Sequence, residues 1–306
     1  MDAIMLPSDM RFIERGWLSS NSLLLLGPDD TVLIDSGYHS HAEQTVALVR
    51  HALNGRTLTT LFNTHLHSDH CGGNAAVQAN WLNLHTAIPP GCSEAVRQWD
   101  EVALTYRPTG QVCPRFVFDD ILQPGSRVMA GGRPWEIHAA PGHDPDSVLL
   151  FQPDTGVLLS ADALWEHGFG VVFPEIYGEA GFEDVGHTLD LIEQLQPRII
   201  VPGHGRVFTD LVGALQRARE RLHVFVDAPH KHASHAAKVL IKFHLMAIQG
   251  CPVQALLDWS HHSDYLCMLH RVHFHQHSMH DWVAGLLEGL IHNGVLARQD
   301  QWVVNV

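Results

Sequence analysis

Asn63-Thr64-His65-Leu66-His67-Ser68-Asp69-His70-Cys71-Gly72-Gly73 is the stretch that decides how this chain reads. Three imidazoles and a carboxylate fall within positions 65–70, directly after the apolar run Leu58-Thr59-Thr60-Leu61-Phe62. Such density serves packing badly, because every buried polar group needs a partner. It serves a transition metal well, since His and Asp are ordinary zinc ligands. The loop also offers more ligands than a single ion takes, which points to two ions side by side. The apolar run predicts a buried strand. Gly72 and Gly73 then open an Ala-rich stretch over residues 74–80 that predicts a helix. The ligands therefore sit on a strand-to-helix loop, where a rigid scaffold presents side chains. In an extended loop His65 and His67 face the same way and can share one ion, leaving Asp69 and His70 for a neighbour.

Further ligands must come from elsewhere, and each candidate again follows an apolar, strand-like run. Trp135-Glu136-Ile137-His138-Ala139-Ala140 leads into Pro141-Gly142-His143-Asp144, and Val157-Leu158-Leu159-Ser160 leads into Ala161-Asp162. Arg198-Ile199-Ile200-Val201 leads into Pro202-Gly203-His204-Gly205, and Val32-Leu33-Ile34 into Asp35-Ser36-Gly37. A site along one edge of stacked sheets needs a strand, one His or Asp and a nearby glycine, which allows tight turns and close backbone approach. Asp35, taken alone, reads equally as a turn former in Asp-Ser-Gly. His138, His167 and His187 fit no such position and read as pocket-wall or surface residues. Cys71 reads as a small buried residue beside a helix start, with metal binding as the lesser alternative.

Asp35 in LIDSG, His65, His67, Asp69 and His70 in THLHSDH, His143 in PGHD, Asp162 in SAD and His204 in PGHG resemble, in that order, the motif series of the metallo-β-lactamase-fold hydrolase superfamily. One HxHxDH is moderately specific, whereas a complete ordered series leaves little room for chance. The resemblance implies an α+β fold, a four-layer αββα sandwich with metals at one edge. It implies that His65, His67 and His143 hold one metal ion, that Asp69, His70 and His204 hold a second, and that Asp162 bridges them. Asp35 would brace the metal loop without ligating, as outer carboxylates orient ligating histidines. The expected cofactors are two divalent metal ions, zinc first, with iron or manganese as alternatives.

Paired cations that share a water bring its pKa down to roughly neutral, ready to attack a carbonyl or phosphoryl centre. Asp69 is then the candidate to orient that water and carry a proton to the leaving group. No G-x-S-x-G elbow offers a rival nucleophile. The segment after Asp162 should line the site. Its Trp165, Phe169, Phe173 and Tyr177 would make an apolar wall with a few polar tips, and Tyr177 is a candidate donor to a developing oxyanion. The alternative is that these aromatics only fill core. Asp69, Asp35 and Tyr177 are thus the candidate catalytic residues. Residues 81–109, interrupted by Pro89-Pro90-Gly91, are a second candidate for a lid.

Composition narrows the function. With 306 residues, 45% of them hydrophobic, the chain can bury one large core or two smaller ones. Residues 1–15 carry no basic start followed by an apolar block, and no apolar run reaches membrane-spanning length. The five cysteines, Cys71, Cys92, Cys113, Cys251 and Cys267, are odd in number and irregular in spacing, which suits reduced thiols and a cytoplasmic location. The net charge is -14 and uneven: residues 1–210 hold 11 Lys plus Arg against 26 Asp plus Glu and contain no lysine, while residues 211–306 hold 8 against 7. An acidic catalytic part is a poor match for a phosphate backbone. Nucleic acid and polyanionic substrates therefore stand behind a neutral or singly charged small molecule.

Two domains are expected, 1–210 bearing the metals and a mainly helical, winged-helix-like 211–306. Helices are predicted over 211–223, 235–249, 253–259 and 280–292, with Asn293-Gly294 ending the last. Residues 295–304 read as a hairpin turning at Arg298-Gln299-Asp300. His261, His262, His270, His273, His275, His277 and His280 crowd the tail but follow no closed metal-site spacing. Lys231, Lys238, Lys242 and Arg271 are too few and scattered for a DNA-binding stripe. The tail is read instead as closing the pocket or pairing copies into a homo-oligomer. The leading function is a dinuclear metal-dependent hydrolase of a small ester-like substrate, a thioester or lactone. THLHSDHCGG and PGHD resemble the hydroxyacylglutathione hydrolase (glyoxalase II) and lactonase branches, but Asp144-Pro145-Asp146-Ser147 stands where the thioesterase branch reads Thr-Pro-Gly-Ser, and no basic cluster suits glutathione. Behind it stand a β-lactamase-like amide hydrolase, a phosphodiesterase and, from another class, a DNA-binding or regulatory module with a vestigial metal core. The complete ligand set argues against that last reading.

Overall fold

The strands fall into two stacked sheets and a small third one in a computed structural model that describes residues 4–306. Residues 1–3, part of the start read above for an export signal, lie outside the described residues. The first sheet runs β1 (Met10–Ile13), β2 (Ser22–Leu26), β3 (Thr31–Ile34), β4 (Thr60–Phe62), β5 (His85–Ile88), β6 (Asp120–Ile121). The second contains β7 (Arg127–Ala130), β8 (Arg133–Ala139), β9 (Val148–Gln152), β10 (Val157–Ala161) and β11 (Ile199–Pro202), ordered β11-β10-β9-β8-β7. The helices are α1 (Ala42–Leu53), α2 (Ser68–Cys71), α3 (Asn74–Asn80), α4 (Ser93–Gln98), α5 (Tyr106–Thr109), α6 (Phe173–Tyr177), α7 (Phe182–Leu195), α8 (Leu211–Asp227), α9 (Pro229–Ile248), α10 (Val253–Ser260), α11 (Asp264–His273) and α12 (Met279–His292).

Successive strand residues point to opposite faces, and this alternation builds the layers. Leu23, Leu25, Val32 and Ile34 of the first sheet share a buried cluster with Ile137, Val148, Leu150, Val157 and Leu159 of the second. Leu24, Leu33 and Leu61 point the other way and meet Val46, Val49, Leu53 and Val77 of α1 and α3. Beyond the second sheet, Leu149, Leu158 and Ile200 pack with Val185 and Leu189 of α7 and with Ala214 and Leu215 of α8. Helices, sheet, sheet, helices: this is the expected αββα sandwich.

The same topology gathers the motif residues. β3 and β4 run parallel, as do β10 and β11, and β8 runs with β10 because each is antiparallel to β9. The C-terminal ends of these strands therefore share an edge with the loops that follow them. Two bonds fasten it across the sheets, Asn21 N donating to Gly203 O at 2.7 Å and Val148 N to Thr64 O at 2.9 Å, and within the first sheet's loops Ser20 N donates to Asp69 O at 2.9 Å.

After residue 210 the chain is mainly helical and closes on a three-stranded sheet of β12 (Gly250–Pro252), β13 (Leu296–Gln299) and β14 (Trp302–Asn305), ordered β12-β14-β13. The expected hairpin is present, with Asp300 in the left-handed region at φ 53°. The second predicted helix starts earlier than read, at Pro229, where proline's fixed φ suits a first helical turn. α11 and β12 were not anticipated. Leu240, Leu245, Leu256, Tyr265, Leu266 and Leu287 form a separate buried cluster that also takes in Val171 and Ile176 from the segment after Asp162. Phe243 of α9 packs with Leu18 and Tyr38. Among the described residues no helix is long and apolar enough to cross a membrane.

Candidate metal centre

β4 ends at Phe62, and the chain passes through His65 and His67 into α2, a single turn that carries Asp69 and His70. His65, His67 and His143 bring ligand atoms within 4.8 Å of one another, and so do Asp69, His70, Asp162 and His204. The two clusters adjoin at Asp162. Its Oδ2 lies 3.5 Å from His143 Nε2 and 3.8 Å from His204 Nε2, and its Oδ1 lies 3.5 Å from His70 Nε2. Asp69 Oδ2 faces His204 Nε2 at 3.1 Å. All seven residues expected from the motifs are thus brought together.

The chain also fixes how these rings are turned. His70 Nδ1 meets Asp35 Oδ2 at 2.8 Å, His143 Nδ1 donates to Val171 O at 2.6 Å, and His65 Nδ1 pairs with Thr64 Oγ1 at 3.2 Å. His67 Nε2 stands 3.5 Å from Asp144 Oδ2. Partners of this kind set the tautomer and aim the opposite nitrogen. Asp35 braces the loop further by accepting from Thr64 N at 2.9 Å and from Thr64 Oγ1 at 2.8 Å. Asp35 at φ 59° and Ala161 at φ 45° are non-glycine residues in the left-handed region. Each such position costs on the order of 1–3 kcal/mol and persists where its surroundings over-determine it. Two glycines admit the side chains: a Cβ on Gly203 would overlap Asp162 Oδ1, and one on Gly170 would overlap His143.

Burial pushes His67 and His143 down to about 4 and His65 well below its usual value. These rings are neutral near pH 7. Burial opposes charge on His70 as well, but Asp162, Asp35 and Asp69 outweigh it and raise its pKa. Burial likewise opposes charge on Asp162, yet His204 and His70 hold its carboxyl well below the usual range.

The donor set fits a pair of divalent ions. His65 Nε2 and His70 Nε2 are buried without a hydrogen-bond partner, which is costly unless something else satisfies them. His67 Nδ1 and His143 Nε2 face each other at 2.8 Å. His143 places its proton on Nδ1 toward Val171 O, and Asp144 draws the His67 proton to Nε2, so two lone pairs point at one place. Nitrogen and carboxylate donors converging in this way suit zinc, iron or manganese.

The aromatic segment divides between its two readings. Phe173 lies against the rings of His67 and His143, with centroids at 4.7 and 5.5 Å, and Trp165 Nε1 donates to Asp162 Oδ1 at 3.2 Å. Phe169 turns into the core against Phe225. Tyr177 is exposed and packs edge-on against Tyr265 at 5.0 Å. Trp17, which no motif flagged, stacks on His204 at 5.2 Å and 7°. Its only sequence signal is a bulky aromatic in a polar loop. Cys71 faces Tyr106 Oη at 3.2 Å and Cys113 Sγ at 3.8 Å and stands outside both ligand clusters. Residues 81–109 are packed, not loose: Ile88, Val96, Leu104 and Tyr106 are buried with Leu66 and Cys71 behind the metal loop. Among the described residues, the tail histidines form no comparable cluster.

Comparison with known proteins agrees with this geometry. A curated relative, the beta-lactamase-like protein 2 homolog of Drosophila melanogaster, is 27% identical over 73% of this chain and 74% of its own length. Hydroxyacylglutathione hydrolases of Synechococcus sp. (strain JA-3-3Ab) and Thermosynechococcus vestitus are 30% and 31% identical, over 61% and 43% of this chain. The chain spans 64% and 45% of these two relatives. Among solved structures, a metallo-beta-lactamase family protein from Thermus thermophilus has the same fold, with a TM-score of 0.58 and 19% identity over 99% of this chain and 100% of that one. Another with this fold, solved in a di-iron-bound form, has a TM-score of 0.52 and 24% identity over 68% of this chain and 96% of that one. Residues 15–204, which contain every ligand candidate, match the family described as the metallo-beta-lactamase superfamily, and the chain belongs to that superfamily of metal-dependent hydrolases.

Proposed function

We propose that this chain is a dinuclear hydrolase of a small ester-like substrate, a thioester or a lactone. The observation that carries the reading is the pair of ligand clusters meeting at Asp162, beside relatives named hydroxyacylglutathione hydrolase. His65, His67 and His143 would hold one ion, Asp69, His70 and His204 the other, and Asp162 would touch both. Zinc is the proposed metal; the di-iron form of a protein with this fold keeps iron as the alternative. When bound, the pair supplies Lewis acidity and an acidified water.

The chain supplies the rest. Asp69 orients the attacking water and carries a proton to the leaving group. Asp35 holds His70 and Thr64 in place. Phe173, Trp165 and Trp17 wall the edge with apolar surface, which excludes competing water and favours an apolar acyl group. Tyr177 is proposed as the donor to the developing oxyanion. The proposed division at residue 210 makes α8 the connecting helix: it packs on α7, while α9 to α12 share a cluster of their own. The free thiols agree with a cytoplasmic location.

The test is elemental analysis of protein purified without added metal, together with turnover of a thioester, a lactone, a β-lactam and a phosphodiester. Two equivalents of zinc with thioester or lactone turnover are expected. No bound metal and no rescue by zinc or iron would sink the dinuclear reading. Turnover of the β-lactam or phosphodiester alone would sink the substrate class.

A further inference from the structure

A cleft of about 490 Å³ opens beside the 165–169 turn, between α8 and α9. His167, Arg217, Arg221, Val224, Phe225 and His235 line it, with Glu220 at its side. Its charges are unevenly matched. Arg217 donates to Glu166 O at 2.8 Å and lies 3.4 Å from Asp210 Oδ2, and Glu220 accepts from Gln216 Nε2 at 2.9 Å. Arg221 is half-buried and has a single long bond, Nη1 to Phe169 O at 3.4 Å. Among the described residues no carboxylate approaches it within ion-pair distance. A guanidinium carries five N–H donors in a planar fork, and a partly desolvated cation gains most from a carboxylate placed against that fork.

The surroundings say what else the ligand carries. Val224 and Phe225 lie three and four residues beyond Arg221, on the same face of α8. Phe225 stacks with His235 at 5.9 Å. Burial, then Arg221 and Lys238, push His235 down to about 4, so the ring adds no positive charge near pH 7. One unpaired fork beside an apolar floor fits a singly charged head with a short hydrocarbon tail. Glu220 at the side disfavours a dianion such as phosphate. The site also reaches the metal edge: Arg217 and Arg221 hold the Glu166 and Phe169 carbonyls, in the turn whose Trp165 donates to Asp162.

We propose that this cleft is a second ligand site, binding a small monocarboxylate whose head is forked by Arg221 and whose apolar tail rests on Val224 and Phe225. The experiment is calorimetric titration of the metal-loaded protein with hexanoate at constant ionic strength, with inorganic phosphate and hexanol as separate probes. Saturable hexanoate binding is expected, with phosphate and hexanol weaker by about tenfold or more. Arg221→Met keeps most of the aliphatic stem and should weaken hexanoate by a similar factor. Val224→Glu leaves Arg221 in place, puts a carboxylate within its reach, and should do the same if Arg221→Met does not fold. Absence of saturable binding, or phosphate binding as tightly as hexanoate, overturns the proposal. Hexanoate binding that survives in the folded variants belongs to the metal edge and overturns it as well.

Discussion

Asp35 shows how one residue can serve the fold and the site together. Its backbone sits at φ 59°, and its carboxylate takes Thr64 N, Thr64 Oγ1 and His70 Nδ1. Asp35→Asn can keep the turn but cannot accept all three bonds on two oxygens. Metal affinity should fall about 10–100-fold, as when outer partners of ligating histidines are lost, and chelator competition would measure it. Unchanged affinity would reduce Asp35 to a turn former. Tyr177→Phe tests the other proposed role: losing an oxyanion donor should lower kcat by about 10²-fold with KM nearly constant, whereas a Tyr177 that only packs on Tyr265 would leave kcat intact. The ligands were legible in the sequence because chemistry demands rare residue types at strand ends, and nothing in packing explains THLHSDH. Trp17 was not, because its contact with His204 joins distant parts of the chain and follows no period. Asp144 was read as a departure from a pattern and not as a partner of His67, because that approach depends on how two loops meet.

At the scale of elements, α9 is tied to the site-bearing segment by a histidine that must stay neutral. Val172 N donates to His232 Nε2 at 3.1 Å, and burial, followed by His235 and His273, pushes His232 down to about 3. In the unfolded chain the ring titrates near its ordinary 6.5. Between these values the unfolded state binds the extra proton, so stability is lost as pH falls from about 6.5 toward about 3. By pH 5 the loss from this one ring is about 2 kcal/mol. Urea denaturation at pH 7 and pH 5 should show His232→Gln, which keeps an acceptor but cannot titrate, losing about that much less than the parent. Equal losses would remove His232 from the account. The strands flanking the metal residues were legible because both faces are buried and read as apolar runs, as Leu149, Leu150, Leu158 and Leu159 do. α11 escaped because His270, Arg271 and His273 mask its apolar side, which Tyr265, Leu266 and Leu269 bury. β12 escaped because Gly250-Cys251-Pro252 has the composition of a break and becomes a strand only by pairing with β14.

For the whole molecule, metal and charge act together. The metal edge is stitched from both sheets, so ions bound only by the folded state stabilise all of it. Saturation at about 1,000 times Kd adds about 4 kcal/mol, and chelation should lower Tm, with zinc restoring it; a Tm indifferent to chelator would mean the clusters hold no structural load. The same edge lies in the acidic part of the chain, residues 1–210, where 26 Asp plus Glu outnumber 11 Lys plus Arg. Asp144, 3.5 Å from His67, and Asp146 beside it add carboxylates at the mouth; burial raises the pKa of both, and Asp144 adds to the rise at Asp146. An anionic thioester such as a glutathione conjugate must approach against this field, whereas a neutral lactone feels little of it. Raising ionic strength shortens the Debye length from about 30 Å at 0.01 M to about 8 Å at 0.15 M. Salt should therefore raise kcat/KM for the anionic thioester and leave the lactone flat, because screened repulsion speeds encounter without changing the chemistry. Asp146→Asn should reproduce part of that gain at low salt. If added salt instead lowers kcat/KM for the anionic thioester, attraction prevails at the mouth and the acidic part of the chain does not select against anions.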